Sequence, residues 1–219
     1  SNSFFVSSTN LSSATKFVLT IEPYPDSDPA PTSTHILAGD FSGNSASLSI
    51  GAPEALGNNF ASATGKYVLA TPSDGPMTNE KSGVWFLGAL PPTAGLSLPT
   101  LPAGWKYEGW AVIGGQPVTT GTFTSVSGAD GFSGFSGSKG TPLFPGEDFL
   151  MKAPSGFTFP TDLSGGKVVI SIEPNPDNSP APFLLKPLLG DISASATVET
   201  VFDMNNIINM NAPTGTASR

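Results

Sequence analysis

The side chains of this sequence best suited to chemistry are carboxylates that occur twice at one spacing. Glu22 lies in the segment FVLTIEPYPDSDPAP, and Glu173 lies at the same place in VVISIEPNPDNSPAP. Two such carboxylates can act as acid and base in glycoside hydrolysis. Each, however, precedes a proline at the end of an apolar run, and their duplication with the surrounding residues favours a structural role, such as accepting hydrogen bonds from turn amides. The residues of this predicted structural motif are Glu22, Pro23, Asp26, Glu173, Pro174 and Asp177.

Aspartates near the two glutamates supply oxygen atoms that could bind a calcium ion. They are Asp26, Asp28, Asp40, Asp177 and Asp191. None of these loops has the spacing of an EF-hand. Aspartates in proline-rich turns commonly accept hydrogen bonds from nearby backbone amides. We therefore predict Asx-turns and no cofactor, with Ca²⁺ as the alternative.

Few residues of this chain could support nucleophilic catalysis. Cysteine is absent and His35 is the sole histidine, so a Ser/His/Asp triad would have to use His35. We expect His35 to be a surface or rim residue of a strand, because it corresponds to Lys186 in the second copy of the duplicated segment. The serines of GFSGFSG, residues 131–137, lack the glycine two positions later that a nucleophile elbow requires. The sequence predicts no catalytic residue and a protein that is not an enzyme.

The three tryptophans could form a surface for stacking sugars. Trp110 lies in an apolar run near Tyr107 and is predicted to be buried, whereas Trp105 follows a Pro-Ala-Gly turn and is predicted to be the most exposed. Trp85 lies in another apolar run. Because large aromatic side chains contribute mainly to cores, carbohydrate binding is an alternative and not the leading interpretation.

Charge and composition exclude several classes of protein. The formal net charge is −8, with only nine Lys and Arg in 219 residues, so the chain could neutralise few phosphates of nucleic acids or of anionic membranes. No apolar stretch has the length of a transmembrane helix. A surface rich in Ser, Thr, Asn and Gly, together with the absence of Cys, predicts an extracytoplasmic location: periplasmic, cell-surface or secreted.

Short apolar or alternating runs separated by Gly and Pro predict many strands and little helix. The duplicated unit is an apolar strand that ends at an acidic, proline-rich turn. We predict an all-β fold, namely an antiparallel β-sandwich with this internal duplication. A strand is expected at Ser195–Phe202, and the Gly/Ser-rich residues 127–140 are expected to be an exposed loop.

The predicted domain organisation follows from the duplication. The two repeat motifs cover residues 16–40 and 167–191. We expect an N-terminal arm or edge strand at 1–13, one sandwich domain at 14–203 and a polar tail at 204–219. Two tandem domains are the alternative.

The stretch LPTLPAGWKYEGWAVIGGQPVTTGTF, followed after a glycine-rich gap by KVVISIEPNPDNSPAPFLLKPLLGD, resembles the extracytoplasmic C-terminal domain of anti-sigma-K-type factors. The resemblance covers residues 96–189, and residues 17–40 repeat its last motif. It implies an all-β domain of the bacterial envelope that senses or scaffolds without catalytic residues. The family's sigma-binding domain, zinc ligands and transmembrane helix have no counterpart in this sequence. The matching residues are Leu101, Pro102, Ala103, Gly104, Tyr107, Trp110, Gly115, Pro117, Val118, Gly121, Phe123, Val169, Glu173, Pro174, Ser179, Pro180 and Pro182.

Three functions are compatible with these patterns. The leading hypothesis is a non-catalytic extracytoplasmic domain that binds or scaffolds an unidentified protein or envelope partner. The first alternative is a structural subunit of a cell-surface layer or filament, which self-associates when the N-terminal arm with Phe4-Phe5-Val6 adds as a strand to a neighbour. The second alternative is a carbohydrate-binding or carbohydrate-active protein.

Overall fold

The structure, a computed structural model, describes residues 3–5, 11–75, 78–177 and 179–219, and nearly all of its regular structure is β. Every strand pairing among these residues is antiparallel. The prediction of an all-β, antiparallel β-sandwich fold is confirmed. None of the described helices is long and apolar enough to cross a membrane.

Fifteen strands and two short 3₁₀ helices form within the described residues. In chain order the strands are β1 (Lys16–Thr20), β2 (His35–Ser42), β3 (Ser45–Ser49), β4 (Thr64–Leu69), β5 (Gly83–Trp85), β6 (Leu87–Ala89), β7 (Thr93–Ala94), β8 (Leu96–Ser97), β9 (Trp105–Ile113), β10 (Gln116–Phe123), β11 (Gly146–Asp148), β12 (Lys167–Pro174), β13 (Leu188–Asp191), β14 (Val201–Asn206) and β15 (Thr214–Ser218). The 3₁₀ helices are Glu80–Ser82 and Ile208–Met210.

The chain divides into two compact units. Unit 1 comprises residues 1–59, 101–104 and 212–219, and unit 2 comprises residues 60–100 and 105–211. Each unit therefore holds one copy of the duplicated motif. The boundaries expected at residues 13 and 203 do not coincide with the boundaries of these units.

Unit 1 contains a four-stranded sheet in the order β1-β2-β3-β15. In its third strand, β3, exposed and buried side chains alternate strictly: Ala46 and Leu48 are buried, and the three serines beside them are exposed. Such a period of two lets one face of a strand pack on a core while the other meets water. The buried apolar side chains of this unit include Ile36, Leu37, Ala38, Ala46, Leu48, Ile50, Leu56 and Ala217.

Unit 2 contains a nearly closed sheet in the order β10-β9-β12-β13-β14-β4-β5-β11, with β8 also paired to β4 and a separate pair formed by β6 and β7. β12 is buried at six consecutive residues, 168–173, as expected of a strand covered on both faces. The large, fully buried side chains of this unit are Trp110, Tyr67, Tyr107, Phe60, Phe86, Phe149, Leu69, Ile170, Ile172, Leu185, Leu188 and Ile208.

One aspartate links the two ends of the large sheet. Asp130 accepts a hydrogen bond from the amide of Gly146, in β11, at 3.0 Å. Its carboxylate also lies against Gly121 of β10, where a Cβ atom would come within 2.6 Å of it. Burial raises the pKa of Asp130 to about 6, and the hydrogen bonds from Gly146 and Phe132 oppose this shift. Glycine at position 121 thus makes room for the carboxylate that joins β10 to β11.

The C-terminal residues 204–219 do not form the polar tail that the sequence predicts. Met204–Asn206 complete β14, and Thr214–Ser218 form β15, which pairs with β3. β15 consists of small residues with little apolar character, so its place in the sheet depends on backbone pairing and on the buried Ala217.

Two further expectations concern single segments. The strand predicted at Ser195–Phe202 is wrong over most of its length, because β14 begins at Val201 and the amide of Ser195 donates instead to the hydroxyl of Ser193 in a turn. Of the predicted N-terminal arm, residues 1–2 and 6–10 lie outside the described residues. Phe4 and Phe5 are exposed and belong to no strand.

Candidate functional site

The two copies of the duplicated motif have the same strand register. In unit 1, β1 pairs with β2 so that Lys16 lies opposite Asp40. In unit 2, β12 pairs with β13 so that Lys167 lies opposite Asp191. Both lysines form ion pairs with the aspartates opposite them. The duplication in the sequence is therefore a duplication of a local structure.

In each copy the glutamate closes the proline-rich turn. The carboxylate oxygens of Glu22 accept hydrogen bonds from the amide of Thr32 at 3.1 and 3.3 Å. Those of Glu173 accept hydrogen bonds from the amide of Phe183, which occupies the equivalent position, at 2.9 and 3.1 Å. Glu173 also accepts a hydrogen bond from the hydroxyl of Ser171. Both glutamates thus perform the same backbone-binding task.

The aspartates of the motif make Asx-turns inside the same loops. Asp26 accepts a hydrogen bond from the amide of Asp28 at 3.0 Å, and Asp177 accepts one from the amide of Ser179 at 2.9 Å. The prolines mark the strand ends, since Pro23 follows β1 by three residues and Pro174 is the last residue of β12. All six residues of the predicted structural motif therefore lie where a strand ends and its turn begins.

The two copies differ in what lies beside the first strand. β12 is paired on one side with β13 and on the other with β9. β1 is paired with β2, and among the described residues no strand pairs with its other side. We call the backbone groups of Lys16–Thr20 on this unpaired side the open edge of β1. Unpaired strand edges are ready templates for another strand.

Side-chain exposure follows the same difference. In β12, Val169 is 5 % exposed and Ser171 and Glu173 are fully buried. The equivalent Val18 and Thr20 of β1 are only half-buried. Leu19, between them, is 46 % exposed. The first copy thus leaves accessible the edge that β9 covers in the second.

Pairing of β9 with β12 also creates a cluster of carboxylates. Side-chain oxygens of Glu108, Glu173 and Asp177 all lie within 4.8 Å of one another. Burial raises the pKa of Glu108 to about 7, a hydrogen bond from the Thr119 hydroxyl opposes the shift, and the charges of Glu173 and Asp177 add to it. Burial also raises the pKa of Glu173. Glu108 is therefore the member of the cluster that takes up a proton near neutral pH.

Three carboxylates at this spacing have the donor atoms that Ca²⁺ prefers. Both oxygens of Glu173 already accept backbone or hydroxyl hydrogen bonds, so a cation would compete with the closure of the turn. Among the aspartates considered as calcium ligands, Asp177 lies in this cluster, whereas Asp40 and Asp191 pair with lysines. Glu108 is not among the predicted site residues, because its only signal in the sequence is that of a lone acid within the apolar strand WKYEGWAVI.

A cleft of about 470 Å³ opens beside Glu108. Its wall is mostly apolar and includes Trp110, Phe157 and Pro180, with Ser179 of the repeat turn at its rim. All three tryptophans are nearly inaccessible, at 2–3 % exposure. The prediction that Trp105 is exposed is therefore wrong. Trp105 begins β9 and packs against Phe183, with 6.0 Å between the ring centroids.

A second group of buried carboxylates lies at β11, and the sequence does not predict it. Asp148 accepts hydrogen bonds from the amide of Ser73 at 2.8 Å, from the hydroxyl of the same serine, and from the indole nitrogen of Trp85 at 2.7 Å. Asp148 is fully buried, and burial raises its pKa. Asp148 thus connects Ser73 to Trp85 inside unit 2.

The neighbouring Glu147 anchors the glycine-rich loop that the sequence predicts to be exposed. Glu147 accepts a hydrogen bond from the hydroxyl of Ser136, and Phe135 and Ser136 are 9 % and 6 % exposed. The prediction of an exposed loop over residues 127–140 is therefore wrong at these positions. Phe135 packs edge-on against Phe132 and Phe159, so aromatic contacts hold the loop on the core.

His35 begins β2, and its Nδ1 lies 2.6 Å from the backbone carbonyl oxygen of Glu54. It is half-buried. One ring nitrogen of His35, Nδ1, is therefore engaged by a backbone carbonyl group. Within the described residues of unit 1, this geometry brings no serine–histidine–carboxylate arrangement together.

Comparison of the chain with family models, with curated proteins and with solved structures finds no match. The resemblance to the outer domain of anti-sigma-K-type factors therefore stays a prediction that rests on the residues named above.

The two glutamates offer a matched test of the motif's role. We expect Glu173→Ala to cost about 2–3 kcal/mol of unfolding free energy, because Glu173 is fully buried and its loss leaves the amide of Phe183 and the buried hydroxyl of Ser171 without an acceptor. Glu22→Ala should cost about 1 kcal/mol, because the half-buried turn around Thr32 can reach water. Either Gln variant should cost less, since an amide oxygen still accepts.

Denaturant unfolding measures both effects, with tryptophan fluorescence for unit 2 and amide hydrogen exchange at Thr32 for unit 1. The losses should add in the double variant, because the two carboxylates share no hydrogen-bond partner. Equal stability of both Ala variants and the parent would show that these carboxylates do not hold the turns.

Proposed function

We propose that this protein is a non-catalytic binding or scaffold domain that takes up an extended segment of a partner at the open edge of β1. The observation that carries the proposal is the contrast between the two copies of one motif: β12 has a strand on each side, whereas β1 has a strand on one side only within the part of the chain that the structure describes. Strand addition gives affinity through backbone hydrogen bonds and specificity through alternate side chains.

The backbone of β1 is oriented for such pairing. The amide of Ile21 donates to the carbonyl of Thr34 at 2.9 Å, on the β2 side. In the second copy the amide of Ile172 donates to the carbonyl of Leu185 at 2.8 Å, on the β13 side. Because backbone groups alternate along a strand, the amides of Val18 and Thr20 point to the open edge, as those of Val169 and Ser171 point to β9.

The usual features that block edge pairing are weak on this strand. Proteins protect edge strands with prolines, exposed lysines or bulges. β1 contains no proline, and its one charged residue, Lys16, forms ion pairs with Glu54 and Asp40. An irregularity in register occurs only at Leu19/Thr20, near the end of the strand.

The proposal of a binding domain also accounts for the carboxylates without catalysis. Glu22 and Glu173 close turns, and Asp148 and Glu147 accept hydrogen bonds from buried hydroxyl and backbone groups. The proposed location outside the cytoplasm rests on the polar, cysteine-free composition. A role in the bacterial envelope is part of this proposal.

The experiment uses a peptide copy of β9, WKYEGWAVI, as the added strand. We expect it to slow hydrogen exchange at the amides of Val18 and Thr20, because each amide gains a carbonyl acceptor. N-methylation of the peptide at the positions of Glu108 and Trp110, whose backbone faces β12 in the parent chain, should weaken binding about tenfold or more. N-methylation at the positions of Gly109 and Ala111 is the matched control and should have a smaller effect.

Protection of Val18 and Thr20 that is identical with both methylated peptides would rule out backbone pairing. If none of the peptides, including the unmethylated one, slows exchange at the amides of Val18 and Thr20, the proposed function is overturned. A Val18→Pro variant removes one amide of the open edge, and circular dichroism verifies that it keeps the β fold.

A further inference from the structure

We infer that the open edge of β1 selects a strand with a tryptophan opposite Val18 and a basic residue opposite Glu22. This inference rests on the proposed function and adds the chemistry of the partner. The template is the second copy of the motif, in which the chain itself supplies the added strand.

The residues that face β9 in the second copy are nearly the same in the first. β9 lies in register with β12 so that Val112, Trp110, Glu108 and Lys106 are opposite Lys167, Val169, Ser171 and Glu173. The equivalent residues of β1 and its end are Lys16, Val18, Thr20 and Glu22. Three of these four residue types are identical, and the fourth exchanges one hydroxyl residue for another.

One side-chain hydrogen bond gives the pairing its specificity. The indole nitrogen of Trp110 donates to the hydroxyl oxygen of Ser171 at 2.7 Å, and both residues are buried. Thr20 places a hydroxyl at the equivalent position of β1. A tryptophan opposite Val18 would therefore find the same apolar neighbour and the same acceptor on the open edge.

The negative charge of Glu22 is the second feature by which the open edge of β1 would select its partner strand. Lys106 lies opposite Glu173 in register, and oppositely charged residues directly across a strand pair attract each other. Glu22 presents the equivalent carboxylate at the end of β1, where it is half-buried. A partner strand with Lys or Arg at this position gains a favourable charge pair, and one with an acid is repelled. The inferred partner segment reads basic-x-polar-x-Trp-x-aliphatic.

The hydroxyl contact is tested by a double-mutant cycle between peptide and protein. Replacing the Trp110-equivalent of the WKYEGWAVI peptide by Phe should weaken its binding to the parent about fivefold, which corresponds to a typical net hydrogen bond. The same peptide change should have little effect on a Thr20→Val variant, because the acceptor is already absent. Valine preserves the shape and β propensity of threonine, so the strand is retained.

The charge contact is tested in the same assay. Replacing the Lys106-equivalent of the peptide by Glu should weaken binding to the parent about threefold or more, and added salt should reduce this difference. The difference should disappear in Glu22→Gln, which still accepts the hydrogen bond from Thr32.

The outcomes separate the inference from the function on which it rests. If all peptides bind the parent equally well and still protect the amides of Val18 and Thr20, the edge accepts strands without this selection and the inference is overturned. If a Trp→Phe effect persists undiminished in Thr20→Val, the indole acts elsewhere and the inference fails. If no peptide protects these amides, the proposed function itself is wrong.

Discussion

The unfolding free energy of unit 2 is expected to fall by several kcal/mol as the pH rises from about 4.5 to about 8, since one carboxyl whose pKa is raised to about 7 already contributes about 3 kcal/mol. Burial raises the pKa of Glu108 and Glu147 to about 7 and that of Asp130 to about 6 in the folded protein. In the unfolded chain these groups return to ordinary values near 4. Between the two sets of values the folded state holds more protons, so each increase in pH favours the unfolded state.

The contribution of these carboxyls is fully present below their unfolded pKa values and is lost as the pH rises through about 7. Glu108→Gln should therefore flatten the pH dependence, because the amide keeps an acceptor for Thr119 and has no proton to lose. Denaturant unfolding followed by tryptophan fluorescence measures the effect, since all three tryptophans lie in unit 2.

Glu54→Gln is the matched control for this pH dependence. The hydrogen bond from Lys16 lowers the pKa of Glu54, so its contribution is lost only as the pH falls through its folded pKa, below the window in question. A stability that stays constant or rises between pH 5 and pH 8 in the parent would show that the buried carboxyls do not take up protons on folding.

Asp148→Ala is expected to produce the largest loss of stability of any single substitution considered, about 3–5 kcal/mol. The change leaves the amide and the hydroxyl of Ser73 and the indole nitrogen of Trp85 without their acceptor inside the core of unit 2. Asp148→Asn should lose less, because one oxygen remains to accept. Trp85 fluorescence serves as a local reporter of the altered site.

Asp162→Ala is the control for this substitution. Asp162 also accepts a hydrogen bond from a backbone amide, that of Ser164 at 2.8 Å, but it is exposed to solvent. Water replaces the lost acceptor there, and the expected cost is below about 1 kcal/mol. Similar losses from both substitutions would mean that burial of the Asp148 group does not determine its contribution.

The sequence predicts the duplicated parts of this fold well because their signals are local. The apolar runs before Glu22 and Glu173 end at prolines, and the strands end there in both units. The repeated glycine before each aspartate also has a local reason: at Gly39 a side chain would collide with the backbone of Ser47, and at Gly190 it would collide with Val168 and Tyr67. Close approach of neighbouring atoms leaves room only for glycine.

The missed features depend on residues distant in the chain. Thr214–Ser218 has no apolar periodicity and becomes a strand because β3 offers it a partner. Glu147 and Asp148 are buried although charged residues are rarely so, because hydroxyls and amides from residues 73 and 136 reach them. Asp177 and Glu108 meet only through the pairing of β9 with β12. None of these partners is visible from local spacing.

The pairing of Ser49 with Thr214 in unit 1 has a consequence for the order of folding. Unit 2 is nested between β3 and β15 in the sequence, so every residue of its large sheet leaves the ribosome before β15 does. Contacts between residues so distant in sequence form slowly because the intervening chain must first be closed into a loop. A folded unit 2 shortens that loop by holding residues 60 and 211 within one structure. During synthesis, the sheet of unit 1 therefore stays incomplete until β15 has been made, and β3 remains unpaired on that side. In this interval β3 of a nascent chain is most exposed to pairing with a strand of another chain.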